Sequence, residues 1–476
     1  MKPALAVASE CVPLVKTGGL ADVTGALPGA MAGNGWARRT LLPGYRPVMA
    51  VAANAGAQPV LDLPGLAAGD ARVLALRYAG LDLLVLNAPH LYDRDGSPYL
   101  DAGGNDWSDN DLRFAALAQT AARIAGGALE GWVPHLLHLH DWQAALVPEY
   151  LAAEGTRVPV VLTIHNIAFH GLTAPDRIGA LGLDPARFIP DGYEYYGHVS
   201  ALKAGLQGAD RITTVSPTYA RELTTPEFGM GLDGVIRARA GVLTGILNGI
   251  DTRVWNPPKD PHVRRYQTPR GKAANRKRLR AEFGLPAAPG PLAVVISRLT
   301  TQKGLDLLLD ALPAFTAAGG QLALLGSGDR ALENAWLQAA RDSDAVAVRI
   351  GYDETLAHRM FAGGDAVLVP SRFEPCGLTQ LYALRYGAVP VVARTGGLAD
   401  TVIHANDAAL RAGTATGLVH APDDAEALAT ALTDLCLLHA QSERWSLIQA
   451  NGMKHPVGWE VSSAQYAALY DAMMVS

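Results

Sequence analysis

Arg298 and Lys303 stand five residues apart in the run Ser297-Arg298-Leu299-Thr300-Thr301-Gln302-Lys303-Gly304, directly after the apolar stretch 292–296. A guanidinium grips phosphate oxygens in pairs and an ammonium supplies a point charge, so the two can neutralise a diphosphate without a metal. Isolated basic residues are more often solvated surface charges. A second run, Ser371-Arg372-Phe373-Glu374-Pro375-Cys376-Gly377-Leu378-Thr379, follows the apolar stretch 366–369. Pro375 and Gly377 shape a helix entrance whose unpaired N–H groups suit a phosphate, which leaves Glu374 to accept sugar hydroxyls. Glu374 can also serve as a partner of the helix dipole. Cys376 sits near the helix start, where thiol pKa values fall, but no histidine neighbours it, so it is grouped with the binding residues and not as a nucleophile.

The first half carries a third loop, Lys16-Thr17-Gly18-Gly19-Leu20-Ala21-Asp22, after the apolar stretch 4–8. Paired glycines let bare N–H groups approach an anion, and Lys16 adds a mobile charge. A plain glycine turn with a surface lysine is the other reading. His138-Leu139-His140-Asp141 and Thr163-Ile164-His165-Asn166 each end an apolar run, which delivers polar side chains to a strand tip. His138 and His140 share a strand face, a spacing that also suits metal ligation. No cysteine or second carboxylate-histidine cluster stands nearby, and only Asp141 and His165 are kept as site candidates, with no metal. Gly326-Ser327-Gly328-Asp329-Arg330-Ala331 matches the dinucleotide fingerprint, but two glycines serve any tight strand-to-helix turn.

These loops need strand tips. Short apolar runs at 4–8, 73–76, 83–86, 136–140, 158–164 and 212–215 read as strands buried on both faces, with helical spacing between them, as at 112–124. A second series at 292–296, 321–325, 345–350, 366–369 and 389–393 begins after the proline-rich run 256–261, which suits an interdomain crossing. The alternation predicts an α/β protein with two parallel, doubly wound sheets, and ligands lie beyond the carboxyl ends of such strands. Two such domains facing each other would enclose a cleft. At 476 residues the chain exceeds one ordinary core, and 49% apolar with 18% charged residues excludes a disordered chain.

A formal charge of -5 disfavours nucleic acid as a partner. Three distant cysteines, Cys11, Cys376 and Cys436, indicate neither a disulfide framework nor a zinc site, and point to a reducing, cytoplasmic setting. No stretch is long and apolar enough for a membrane span, and the opening residues lead directly into a strand, which favours a bacterial cytosol over a plastid precursor.

Taken together, the segments resemble the bacterial glycogen synthases and plant starch synthases that use ADP-glucose. The resemblance rests on the Lys16–Val23, His140-Asp141-Trp142-Gln143-Ala144, Thr163–Asn166, Asn248-Gly249-Ile250-Asp251, Arg298–Gly304 and Glu374–Gln380 segments, and on Thr395-Gly396-Gly397-Leu398-Ala399-Asp400-Thr401-Val402. They run in the family's order over nearly the whole chain. Thr24 and Leu139 depart from the family pattern at positions with no expected part in the chemistry.

The resemblance implies the GT-B fold: a Rossmann-like domain over 1–245, a second over 246–455, and a last helix over 456–476 returning to the first. It implies retaining transfer of glucose to the non-reducing-end 4-hydroxyl of a glucan, either glycogen or a maltooligosaccharide, with no cofactor. By the same carry-over, Arg298, Lys303 and the N–H groups of Gly377, Leu378 and Thr379 bind the diphosphate. Lys16, Gly18 and Gly19 meet its distal phosphate, and Asp22 and Cys376 complete the binding set. Asn248, His165 and Glu374 fix the glucose hydroxyls, Asp141 lies close to the reacting sugar, and Tyr352 stacks on the base.

The residues alone leave ADP-glucose and UDP-glucose open; the resemblance favours ADP. Charge developing on the departing diphosphate is met by cations and N–H dipoles, and a phosphate oxygen takes the acceptor's proton. The domains are expected to close on the donor. Three alternatives are a pyridoxal-phosphate glucan phosphorylase, a non-catalytic glucan-binding protein, and dinucleotide redox chemistry.

Overall fold

The structure, a computed structural model, describes residues 1–475. The chain divides into two compact units, Met1–Asn248 together with the segment from Trp459 onward, and Gly249–Gly458.

Among the described residues the main sheet of the first unit has nine strands. Their order is Leu243–Gly245, Arg211–Thr214, Val160–Ile164, Leu136–His140, Lys2–Val7, Trp36–Pro43, Leu81–Asn87, Gly69–Tyr78 and Gln58–Leu66. The strands from Leu243–Gly245 to Leu81–Asn87 run parallel. The run 73–76, expected in a parallel strand buried on both faces, instead belongs to a strand antiparallel to both of its neighbours, with alternating burial. Its link to the next strand is the two-residue turn Ala79-Gly80, in which both φ angles are positive. So short a turn joins only antiparallel strands.

Lys2–Val7 lies between Trp36–Pro43 on one side and Leu136–His140 on the other. The winding direction therefore reverses at Lys2–Val7, and ligands of open α/β sheets bind beside such a reversal. The helix Gly19–Ala32 and the final helix Trp459–Val475 cover one face, where Val23, Leu27, Trp36, Leu136, Tyr466 and Tyr470 form a core. Trp36 meets Tyr470 edge to face at 5.0 Å, and its indole N–H donates to Asp471 at 3.1 Å. The last helix is thus part of the first unit.

The first unit ends at Asn248, past the boundary expected at 245, because Ile246 packs in the first core while Ile250 packs against Leu381 and Leu384 of the second unit. The return to the first unit falls at Trp459 and not at 456, since Ile250 donates its N–H to the carbonyl of Val457, which belongs with it in the second unit. The run 256–261, expected to be the crossing, lies inside the second unit. There Trp255 stacks on His358 at 3.9 Å, and the buried Asp260 accepts from His358 at 2.7 Å.

The six strands of the second unit are all parallel, in the order Val346–Ile350, Gln321–Gly326, Leu292–Ile296, Ala366–Val369, Val389–Ala393 and Leu418–His420. Leu292–Ile296 is buried on both faces: Ala293 and Val295 belong to a core with Phe315 and Trp336, Leu292 and Val294 to another with Met360 and Phe361. The reversal here falls between Leu292–Ile296 and Ala366–Val369, the two strands whose loops carry Arg298, Lys303 and Glu374.

Candidate functional site

In the second unit the Lys303 ammonium donates to Oε2 of Glu374 at 2.6 Å, and the Ser371 hydroxyl donates to the same oxygen at 3.0 Å. A small cavity at the strand tips is lined by Ser297, Lys303, Ser371, Glu374 and Thr379. The two loops meet closely: a Cβ on Gly304, whose φ is +65°, would lie 2.0 Å from the carbonyl oxygen of Pro370. Only glycine fits there. Arg298 is exposed, and its guanidinium makes no hydrogen bond or ion pair among the described residues.

Arg372, unassigned in the sequence analysis, ties these loops together. Its guanidinium makes a bidentate pair with Asp306, both contacts at 2.8 Å, donates to the carbonyl of Thr301 at 2.7 Å and reaches Asp423 at 2.6 Å. Hydrogen bonding to Asp306 foremost raises its pKa, and in turn holds the Asp306 carboxyl below the usual range. Four of the five N–H donors of this guanidinium thus go to positioning the two loops. The signal was its place two residues before Glu374.

The helix Thr379–Tyr386 begins at this tip, and the N–H groups of Gly377, Leu378 and Thr379 have no acceptor among the described residues. Cys376 is buried, and its carbonyl accepts from Gln380 at 3.1 Å. Tyr352, just beyond the edge strand Val346–Ile350, is 70% exposed, and its hydroxyl donates to Glu354 at 3.1 Å. The dinucleotide-like glycines have a local cause: Cβ atoms on Gly326 and Gly328 would lie 2.0 Å and 2.3 Å from the carbonyls of Ser297 and Leu299. They let one loop brace the backbone that carries Arg298.

In the first unit, Lys16 pairs with Asp22 at 2.8 Å on the surface, a contact weak enough to exchange for a ligand. Nothing lies within 4 Å of a Cβ built on Gly18 or Gly19, so internal packing does not demand glycine at either position. The expectation that both N–H groups face a phosphate needs correction. Glu10, which is 3% exposed and was missed in the sequence, accepts from the N–H groups of Thr17 and Gly18, the latter at 3.1 Å. It also accepts from the hydroxyls of Thr17 and Tyr99, each at 2.5 Å. Its carboxylate thus satisfies the loop before the helix, while the Gly19 N–H has no acceptor among the described residues. Thr24, noted as a departure, donates to the carbonyl of Glu10 at 2.6 Å and braces this turn.

Asp141 has φ +55°, a strained conformation for a residue with a side chain. Its carboxylate accepts the N–H of His165 at 2.6 Å and of Asn166 at 3.4 Å, which joins two neighbouring strand tips. Burial pushes its pKa up to about 7, against the pull of those two N–H groups. Burial also lowers His165 to about 3, so its imidazole is neutral. His138 is structural: its ring nitrogens meet the Tyr470 and Thr163 hydroxyls, each at 2.5 Å. Asn248 is buried, and its side-chain oxygen has no hydrogen-bond partner among the described residues.

Comparison with known proteins agrees with this layout. The starch synthase catalytic domain family matches residues 4–238, and the glycosyl transferases group 1 family matches residues 290–437. The glycogen synthase of Jannaschia sp. (strain CCS1) is 58% identical over 472 residues, 99% of each chain. That of Paracoccus denitrificans (strain Pd 1222) is 58% identical over 475 residues, 99% of this chain and all of the other. The catalytic domain of starch synthase IV from Arabidopsis thaliana, solved bound to ADP and acarbose, superposes with a TM-score of 0.88 at 28% identity, covering 99% of each chain. The fold class is GT-B, with two Rossmann-like units. With near-complete coverage at such identity, and both sheets reversing where the charged loops emerge, the chain belongs to the bacterial glycogen synthase family of hexosyltransferases.

Proposed function

We propose that this chain moves glucose from ADP-glucose to the non-reducing-end 4-hydroxyl of an α-1,4-glucan, glycogen or a maltooligosaccharide, with retention at the anomeric carbon and release of ADP. The observation that carries the reading is the Lys303–Glu374 pair at the reversal of the second sheet, on the same loop as the unpaired Arg298. Cations at that place suit a leaving diphosphate, and a carboxylate steadied by one of them suits sugar hydroxyls.

The roles follow from donor and acceptor chemistry. Arg298, Lys303 and the N–H groups of Gly377, Leu378 and Thr379 bind the diphosphate; Lys16 and Gly19 add contacts to its distal phosphate, with Asp22 holding Lys16 until the anion replaces it. Cys376 shapes the cradle through its backbone, and Tyr352 offers an exposed ring to the adenine. Glu374, His165 and Asn248 hold glucose hydroxyls, and a hydroxyl donor would satisfy the buried Asn248 oxygen. The bond from C1 to the distal phosphate oxygen breaks, the acceptor O4 bonds to C1 on the same face, and its proton passes to a phosphate oxygen of the departing ADP. Asp141, when ionised, steadies the positive charge on the sugar.

The three buried cysteines, none in a disulfide, suit action in a reducing cytoplasm, and no helix among the described residues is long and apolar enough to cross a membrane. Incubation with ADP-glucose or UDP-glucose and a short maltooligosaccharide tests the proposal. ADP release matched by a new α-1,4-linked glucose is expected; glucan binding without nucleotide release, or transfer from UDP-glucose alone, would refute it.

A further inference from the structure

Arg38 is a buried cation with no carboxylate partner among the described residues. It lies on Trp36–Pro43, 5% exposed, and its Nε and Nη1 have no hydrogen-bond partner among the described residues. Its remaining nitrogen, Nη2, lies 3.3 Å from Nε2 of His140. Strand register puts Arg38 opposite Ala4 and Ala4 opposite Leu136, so Arg38, Ala4, Ala6, His138 and His140 project from one face. Ala4 and Ala6, on the strand between, leave room for the arginine to reach across. The Nδ1 of His140 then lies 3.0 Å from Nε2 of His165.

We infer that Arg38 is a positioning residue that fixes the proton of His140, and through it the proton of His165, so that His165 presents an Nδ1–H donor at the strand tip. A guanidinium has no lone pair to offer, so Nε2 of His140 must accept, and a neutral His140 then carries its proton on Nδ1. That proton is donated to Nε2 of His165, whose own proton must sit on Nδ1. Nδ1 of His165 has no partner among the described residues. The opposite tautomers would set N–H against N–H at 3.3 Å. Burial lowers the pKa of both rings, which keeps each neutral.

The consequence for catalysis rests on the proposed contact between His165 and a glucose hydroxyl: a fixed donor orders that hydroxyl's lone pair, whereas a ring that flips between tautomers holds it only part of the time. Without Arg38 nothing in the chain of rings prefers one tautomer.

The test is ¹⁵N NMR of histidine-labelled enzyme without ligand, where long-range couplings report which ring nitrogen is protonated. Wild type should show His140 and His165 both protonated at Nδ1. Arg38→Met should mix the tautomers of His165 and lower kcat/KM about tenfold, the value of one hydrogen bond of this kind, and Arg38→Lys should restore both. A wild-type spectrum with His165 protonated at Nε2 overturns the inference whether or not the variants fold, as does an unchanged His165 signal in folded Arg38→Met. The sugar contact fails separately: it is wrong if His165→Ala keeps wild-type kcat/KM while the Nδ1 tautomer is seen.

Discussion

The Lys303 ammonium lies 2.6 Å from Oε2 of Glu374, which joins a residue expected to bind phosphate to one expected to bind sugar. Glu374 therefore takes its orientation from the same cation that is proposed to receive the diphosphate. Losing either partner disorders the other, so their contributions cannot be independent. Lys303→Ala and Glu374→Ala should each cost much of kcat/KM, and the double variant should fall short of the summed losses by about 1–3 kcal/mol. Steady-state kinetics of the four-membered cycle checks this, and strict additivity would exclude the coupling.

Asp141 gives the enzyme a pH dependence of defined sign. With its folded pKa raised from 3.8 to about 7, the native state holds a proton between those values that the unfolded chain has released. Stability therefore falls as pH rises from about 4 through about 7, and stays lowered above. Asp141→Asn should remove that slope and melt above wild type at pH 8. Activity should move the opposite way in wild type: kcat/KM should climb with an apparent pKa near 7 as the carboxylate forms, and the limb should vanish in Asp141→Asn along with most of the rate. Thermal melts and pH–rate profiles read the two effects separately.

Tyr470 ties the last helix to the sheet through His138. Tyr470→Phe leaves a buried ring nitrogen without its partner and should cost about 1–3 kcal/mol of stability. Denaturant melts should show the loss with kcat nearly unchanged, since His138 faces Tyr470 and Thr163 and not the site. A large fall in kcat at full stability would contradict the structural role.

Much of this was legible because buried parallel strands announce themselves. Leu136–His140, Leu292–Ile296, Ala366–Val369 and Val389–Ala393 match the apolar runs residue for residue, for each is covered on both faces. Trp36–Pro43 was missed because Arg38, Arg39 and Thr40 interrupt its apolar pattern, and Gln58–Leu66 because its edge position leaves most of it exposed. Lys303 and Glu374 were visible as charges at strand tips. Their ion pair was not, since it depends on two loops separated by three helix and strand pairs. Glu10 and Arg372 escaped notice because each acts on backbone: a carboxylate that satisfies N–H groups looks, in sequence, like any surface acid.

If fixed cations of the second unit stabilise the departing diphosphate, steady-state turnover of Arg298→Ala at saturating donor reads their contribution. The guanidinium is exposed and unpaired, so its removal should leave the melting temperature within a degree or so, while kcat falls about 10²–10³, or ~3–4 kcal/mol. Turnover within a few-fold of wild type at saturating donor would contradict the account.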